Sequence, residues 1–205
     1  RSWSGGVMVT LNRPPKFEGR HARRSASKYH WINYSPEKFR EQYTGDIMNI
    51  KGTRLHAVAC ELIKLREKMP RSNRTLNAYV NDSIGFRMSP EVVLAYSEFS
   101  FGTADALGFR DKFLRIHDLK TGNTRASFKQ LYVYAALFCL EYNFKPTEIG
   151  FEFRIYQHDT VYIETTSENE ALFEWPRVDR AEIIRIMDKI VFFDNMIREM
   201  KAEAF

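Results

Sequence analysis

Cysteine is scarce in this chain of 205 residues, which contains only Cys60 and Cys139. Two thiols are too few for a four-thiolate metal cluster or for a disulfide framework. Both lie in apolar stretches with helical spacing, where a free thiol behaves as a small apolar side chain. We therefore expect two buried thiols in a reducing cytoplasm.

Long apolar runs are also missing. No stretch of about 18 apolar residues is available to span a bilayer, and the chain lacks the charged-then-apolar start that is typical of a signal peptide. We therefore expect no membrane association and a cytoplasmic location. A glycine-rich phosphate loop and a His-Glu-x-x-His motif are absent as well, which excludes two common kinds of hydrolase site. Whether residues precede Arg1 stays open.

Positive charge is concentrated at one end of the chain. Of the net charge of +5, residues 1–34 contribute +6, from seven basic residues against Glu18, and the remainder contributes −1. Aromatic residues are interleaved with these cations. Such an arm can bind phosphates and stack on bases, or it can be a solvated tail, and charge alone favours neither. The candidate nucleic-acid-binding residues are Arg20, Arg23, Arg24, Lys28 and Trp31.

No Pro/Gly-rich linker or internal repeat divides the rest of the chain, and its length allows one sizeable core. We therefore predict a basic N-terminal extension over residues 1–34 and a single domain over residues 35–205. Capping residues and apolar periodicity predict five helices. They span Ser35 to about Thr44, then 52–69 with Pro70 as its stop, about 76–84, 125–142 and about 179–201.

Strands are indicated between these helices. Apolar stretches at 92–96, 99–101, 104–107 and 112–120 predict three adjacent strands, with residues 108–111 joining the second and third as a hairpin. Two further strands are predicted at 149–156 and 160–165. This order of elements predicts an α/β fold with a central mixed β-sheet flanked by helices.

The strand over residues 112–120 ends in polar residues that suit metal chemistry. Because side chains alternate along a strand, Asp118 and Lys120 share one side with the apolar Leu114 and Ile116. Asp105 precedes them on the neighbouring strand. Two carboxylates can hold Mg²⁺ or Mn²⁺ while leaving positions for water and phosphate oxygens. The lysine can orient or help to deprotonate that water and offset phosphate charge.

These residues resemble the motifs of a known nuclease superfamily. Gly102-Thr-Ala-Asp105 and Asp118-Leu-Lys120-Thr-Gly122 resemble the two acidic motifs of the PD-(D/E)XK nucleases, and in particular of their RecB-like exonuclease branch. Gly52-Thr-Arg-Leu-His56 resembles the glycine-and-histidine motif that this branch carries on an early helix. Gln130-Leu-Tyr-Val-Tyr134 resembles its later Gln-x-x-x-Tyr motif. The resemblance covers residues 52 to about 156.

The resemblance implies a restriction-endonuclease-like core and a metal site. Some relatives hold an iron–sulfur cluster with four cysteines, and none is expected here. Taken alone, a histidine in the position of His56 would more often be a core or surface residue. Gln130 and Tyr134 alone would more often form the polar edge of a packed helix. The implied catalytic residues are Asp105, Asp118, Lys120, Gln130 and Tyr134. The implied ligands of Mg²⁺ or Mn²⁺ are His56, Asp105, Asp118 and the backbone carbonyl of Leu119.

The activity implied by the resemblance is hydrolysis of DNA phosphodiester bonds. The expected enzyme is an exonuclease of recombination, repair or phage DNA metabolism in a bacterial or phage-infected cell. Its expected partners are DNA and a recombination or single-strand-annealing protein. The alternatives are an RNA endonuclease of the same fold and a non-cleaving nucleic-acid-binding or assembly protein. Cleavage polarity, strandedness and oligomeric state stay open.

Overall fold

The structure, a computed structural model, describes residues 26–167 and 176–204. The chain divides into two compact units, Arg1–Asp46 and Ile47–Phe205. The described part of the first unit holds a 3₁₀ helix, Ala26–Asn33, and the first turns of helix α1. Ser35 caps that helix as predicted, since its Oγ accepts a hydrogen bond from the backbone N–H of Lys38. The predicted boundary after residue 34 stays a prediction.

Helix α1 runs without a break from Pro36 to Leu65, so the prediction of two separate helices was wrong. A single glycine inside a helix costs only about 1 kcal/mol relative to alanine, and a long helix tolerates it. The predicted stop at Pro70 was also wrong. The helix ends four residues earlier, where Arg66 adopts a left-handed φ of 58° and its N–H bonds back to the carbonyl of Ile63.

The other helices lie close to their predicted positions. They are α2, Thr75–Gly85; α3, Lys129–Glu141; and α4, Arg180–Ala204. Helix α3 begins later than predicted, and residues 120–128 form a loop before it. The side chain of Asp179 caps α4 by accepting hydrogen bonds from the N–H groups of Ala181 and Glu182. None of the helices in residues 26–167 and 176–204 combines the length with the apolar character that a membrane span requires.

Within residues 26–167 and 176–204, five strands form one sheet in chain order. They are β1, Ser89–Ala95; β2, Phe101–Arg110; β3, Phe113–Leu119; β4, Gly150–Gln157; and β5, Thr160–Thr165. Strands β3 and β4 are parallel, with α3 in the connection between them, and the other neighbouring pairs are antiparallel. The predicted α/β class with a mixed, helix-flanked sheet is therefore confirmed.

The hairpin between β2 and β3 is tighter than predicted. Residues 108–110 belong to β2, and the turn consists of Asp111 and Lys112, with φ of 51° and 57°. Two successive positive φ values are the signature of a two-residue turn whose twist matches that of the strands. Gly108 is therefore a strand residue, and the side chain of Met88 packs over it.

Both faces of the sheet are covered by helices. Helices α3 and α4 bury one face, towards Leu114 and Ile116, and helices α1 and α2 bury the other, towards Leu119 and Tyr156. The alternation predicted for β3 is thus confirmed, with Asp118 continuing the α3 side. Strand β3 is buried on both faces, as central strands of α/β sheets usually are. Cys60 and Cys139 are both buried and free, as expected.

One glycine is required by close packing at the start of β4. A Cβ atom at Gly150 would lie 2.3 Å from a ring carbon of Phe113, far inside contact distance. We expect Gly150→Ala to lower the free energy of unfolding by about 1–3 kcal/mol, as overpacking does. Gly85→Ala is the control, because nothing lies within 4 Å of its Cβ position. Urea titrations of both variants check this, and equal stability of the two would contradict it.

Candidate functional site

Asp105 and Asp118 lie side by side on the β2–β3 hairpin. The paired part of the two strands ends at Ala106 and His117, so Asp105 and Asp118 are the next residues on each strand, and the charge of Asp105 acts on Asp118. Asp105 is held in place by the backbone of β3, because its Oδ2 accepts a hydrogen bond of 2.8 Å from the N–H of Leu119. The two predicted carboxylates are therefore brought together. The carbonyl of Leu119 as a metal ligand stays a prediction.

His56 reaches the same place from helix α1. Its Nδ1 lies 3.4 Å from Oδ2 of Asp105. The hydrogen bond with Asp105 raises the pKa of His56, and partial burial opposes this. One helical turn earlier, a Cβ at Gly52 would stand 2.6 Å from Oγ1 of Thr121. The glycine of this motif thus lets α1 approach the end of β3 closely enough to deliver the imidazole.

Glu91 on β1 joins the cluster and was missed in the sequence. Ligand atoms of His56, Glu91 and Asp105 lie within 4.8 Å of one another. Glu91 has a positive φ of 51° inside a strand, between Pro90 and Val92, which pair with Ala106 and Ala104. At this point β2 changes the face it presents, since Ala104 packs in the α3 cluster and Ala106 in the α1/α2 cluster. Nothing in the sequence signals such a local irregularity.

Asp118 is buried with part of its carboxylate unpaired. The residue is 2% exposed, and its Oδ2 lacks a hydrogen-bond partner among the described residues. Its Oδ1 lies 3.0 Å from Nζ of Lys120. Burial raises the pKa of Asp118, the charge of Lys120 lowers it and the charge of Asp105 raises it again. A buried carboxylate with one free oxygen is costly unless a cation satisfies it.

A chain of hydrogen bonds fixes Lys120. Besides its contact with Asp118, its Nζ donates to Oε1 of Gln130 at 2.9 Å. The Gln130 amide donates to the hydroxyl of Tyr134, which in turn donates to the backbone carbonyl of Thr103 on β2. The predicted glutamine and tyrosine are therefore brought to the site, where they position the lysine. An ammonium group has three donors, so one is left for a water or a phosphate oxygen.

Gly102 has a packing role in the same arrangement. A Cβ at this position would lie 3.0 Å from a ring carbon of Tyr134. Glycine therefore lets the tyrosine ring lie close against β2 while its hydroxyl reaches Thr103. The first residue of the Gly-x-x-Asp pattern is thus explained by packing.

The cluster opens into a depression of about 660 Å³. Its wall includes Asn49, Thr53, His56, Glu91 and Asp105. The imidazole and the carboxylates supply the nitrogen and oxygen donors that bind divalent cations. The depression is also wide enough for a phosphate group beside such a cation.

Most of the candidate nucleic-acid-binding residues of the basic arm lie outside the described residues. Arg20, Arg23 and Arg24 lie outside the described residues. Lys28 and Trp31 lie in the 3₁₀ helix, and Trp31 is half-buried there. Their role in nucleic-acid binding stays a prediction.

Comparison of the chain with protein-family models, with curated proteins and with solved structures gives no match. Function is therefore inferred from the chemistry of the site itself.

Proposed function

We propose that this protein is a metal-dependent DNA nuclease of the PD-(D/E)XK type, with a restriction-endonuclease-like core and an active site of the RecB-like kind. The observation that carries the proposal is the convergence of His56, Glu91 and Asp105, together with the buried Asp118, whose Oδ2 has no hydrogen-bond partner among the described residues. Lys120 lies next to Asp118, held by Gln130. All of these residues but Glu91 belong to motifs that resemble the family.

The donor set fits Mg²⁺ or Mn²⁺. Three carboxylates and one imidazole offer hard oxygen donors and one nitrogen, and Mn²⁺ accepts both. His56, Glu91 and Asp105, whose ligand atoms converge, would hold the ion, and Asp118 and the carbonyl of Leu119 are proposed as further ligands. The free oxygen of Asp118 supports this, because a cation would satisfy it. When bound, the ion would lower the pKa of a bound water and stabilise charge on the scissile phosphate.

The side chains of the protein act on the water and the phosphate. Lys120 donates to a non-bridging phosphate oxygen or orients the attacking water with its remaining N–H group. Gln130 and Tyr134 hold this ammonium in position through the hydrogen-bond chain that ends on β2. The water oxygen forms a bond to phosphorus and gives up a proton to solvent, while the bond to the leaving oxygen breaks and that oxygen takes a proton from solvent.

DNA is the proposed substrate, and an exonuclease role in recombination, repair or phage DNA metabolism is the proposed context. A recombination or single-strand-annealing protein is the proposed protein partner. A non-cleaving scaffold is disfavoured, since carboxylates kept close enough to repel one another, as Asp105 and Asp118 are, cost stability and have no use in a protein that only binds. An RNA endonuclease of the same fold is the remaining alternative.

The test is a substrate panel. Linear DNA, circular DNA and RNA of the same sequence are incubated with the full chain and Mg²⁺, Mn²⁺ or EDTA. We expect degradation of linear DNA with either ion and none with EDTA. The Asp118→Asn variant, purified in parallel, controls for contaminating nucleases.

Three outcomes would contradict parts of the proposal. Cleavage of RNA alone would replace the DNA substrate by RNA. Equal cleavage of circular and linear DNA would replace the exonuclease by an endonuclease. No metal-dependent cleavage of any substrate, or equal cleavage by Asp118→Asn, would overturn the nuclease itself.

A further inference from the structure

A second hollow lies directly beyond Lys120. It has a volume of about 320 Å³, at the lower end of cavities that accept small ligands. Met48 and Leu55 from α1, Leu76 from α2 and Leu119 from β3 supply its apolar wall. Asn123 and His158 supply polar groups. We call this hollow the side pocket.

The side pocket adjoins the proposed metal site. Gly52 and Thr121 line both the side pocket and the depression at the metal cluster. Lys120 lines the side pocket too, and its Nζ lies 3.0 Å from Asp118. A ligand in the side pocket is therefore next to any phosphate bound at the metal.

A hydrogen-bonded clip fixes one wall of the side pocket. Asp159, in the β4–β5 turn, accepts hydrogen bonds from the backbone N–H and the hydroxyl of Thr75 at the start of α2. The N–H of Asp159 donates to the same hydroxyl at 2.7 Å. Because His158 is next to Asp159 and Leu76 is next to Thr75, these hydrogen bonds hold His158 and Leu76 in place relative to each other. The clip also places a carboxylate at the start of α2, where an incoming phosphate would otherwise be favoured.

The side pocket is lined by apolar side chains and also by cationic ones. Methionine and leucine side chains can cover the faces of a flat ring, and an amide and an imidazole can bond to its edge. The cations Lys51 and Lys120 line the same pocket and suit flanking phosphates. An apolar slot with polar edge groups and adjacent cations matches one nucleotide, with its base inside and its phosphates outside.

We propose that the side pocket binds the nucleobase of the nucleotide adjoining the scissile phosphate. The inference rests on the proposed nuclease function and names how that site selects its substrate. A base can enter the pocket only when it is unpaired, and unpairing costs least in single strands or at frayed ends. The protein therefore acts on single-stranded DNA or on duplex ends that open before cleavage.

Abasic substitution tests the inference. Single-stranded oligodeoxynucleotides carry one abasic site, moved stepwise along the strand, and binding to the full chain is measured by fluorescence anisotropy with Ca²⁺ in place of Mg²⁺. We expect one position at which the abasic site weakens binding about tenfold, within the range for loss of one base contact. Cleavage of the same strands is measured in parallel with Mg²⁺.

Two variants on helix α1 form a matched pair. Met48 is 51% exposed and lines the side pocket, whereas Val58 is 49% exposed and lies outside it. In the Met48→Ala variant, the abasic site at the sensitive position should weaken binding less than about threefold. This variant has already lost the side chain that contacts the base, so removing the base costs less. Val58→Ala should retain the tenfold penalty.

The outcomes separate the two proposals. If the wild type cleaves DNA but no single abasic position weakens binding, or if Met48→Ala and Val58→Ala retain equal penalties, the side-pocket inference is overturned and the nuclease stands. If the wild type cleaves no substrate, the nuclease proposal fails and the inference fails with it.

Discussion

Replacing Asp118 with asparagine is expected to lower the rate of DNA cleavage about a thousandfold, which corresponds to roughly 4 kcal/mol of transition-state stabilisation. Asparagine preserves the shape of the side chain but removes its charge. The variant should therefore keep its fold while losing the carboxylate proposed as a metal ligand. Single-turnover cleavage of labelled linear DNA at saturating enzyme measures the effect.

The same substitution should leave the metal-free protein at least as stable as the wild type. In the wild type Asp118 is 2% exposed and one of its oxygens lacks a partner among the described residues, so burying its charge costs free energy. Its contact with Lys120, which is 30% exposed, recovers only a small part of that cost. Loss of activity together with retained stability is typical of a residue kept for function.

Thermal unfolding with Mn²⁺ separates a ligand from a merely structural aspartate. A ligand that binds only the folded state raises its stability in proportion to the logarithm of ligand concentration. Wild type should therefore gain stability with added Mn²⁺, and Asp118→Asn should gain much less. Equal gains in both proteins would show that Asp118 does not hold the ion.

Asp194 on helix α4 provides the matched control. It is also fully buried, and its Oδ1 accepts hydrogen bonds from the hydroxyls of Ser97 and Ser100. Its Oδ2 has no hydrogen-bond partner among the described residues, as in Asp118, but lies 2.9 Å from the guanidinium of Arg198. Asp194→Asn should lose about 1–3 kcal/mol of stability and retain cleavage. A control that loses cleavage while staying folded would point to a general effect of buried aspartates.

Much of the fold could be predicted because its signals are local. Alternation and apolar runs located the strands, and the order of elements gave the mixed sheet. The errors arose where local signals are weak. Gly108 is read as a turn residue although it lies in β2, and the stretch around Gly45 is read as a break although α1 continues through it. In each case the sequence shows the glycine but not the packing around it, and that packing decides whether the strand or helix continues.

The residues of the candidate site also fall into two groups, those that local signals predict and those whose positions depend on packing. Asp105, Asp118 and Lys120 were predictable because strand alternation and one hairpin determine their geometry. His56 and Gln130 were suggested by the family resemblance alone. The packing of α1 and α3 on the sheet determines whether these side chains reach the site, and the sequence does not show that packing. Glu91 was not predictable. It reaches the cluster through a left-handed backbone conformation in the middle of β1, and a glutamate after Pro90 carries no signal for that.

The α1/α2 side of the sheet also buries a charged network that the sequence did not reveal. Glu152 on β4 is 1% exposed, and Arg154 contacts it through two nitrogens at 3.0 and 3.2 Å. Arg154 also contacts Asp82 on α2, and Tyr156 donates to the same aspartate. This network connects the sheet to α2, so its charge balance should matter for stability.

Glu152→Gln is expected to lower the free energy of unfolding at neutral pH by about 3 kcal/mol, because Arg154 would lose its buried counterion. Burial opposes ionisation of Glu152, but the neighbouring His117 and Arg154 outweigh it and lower the pKa to about 2 from the ordinary 4.5. Arg154 is the stronger partner, since Nε2 of His117 is 3.7 Å away. Guanidinium chloride titrations at pH 7 measure the difference.

The lowered pKa also fixes the direction of the pH dependence. Between pH 4.5 and about 2 the unfolded state binds a proton at this position that the folded state does not, so the contribution of Glu152 is complete above pH 4.5 and is lost on acidification. The stability gap between wild type and Glu152→Gln should therefore narrow as pH falls through this window. Glu148→Gln, at a 53% exposed surface position, should match wild type throughout. A gap that stays constant to pH 2 would show that packing, and not charge, makes Glu152 stabilising.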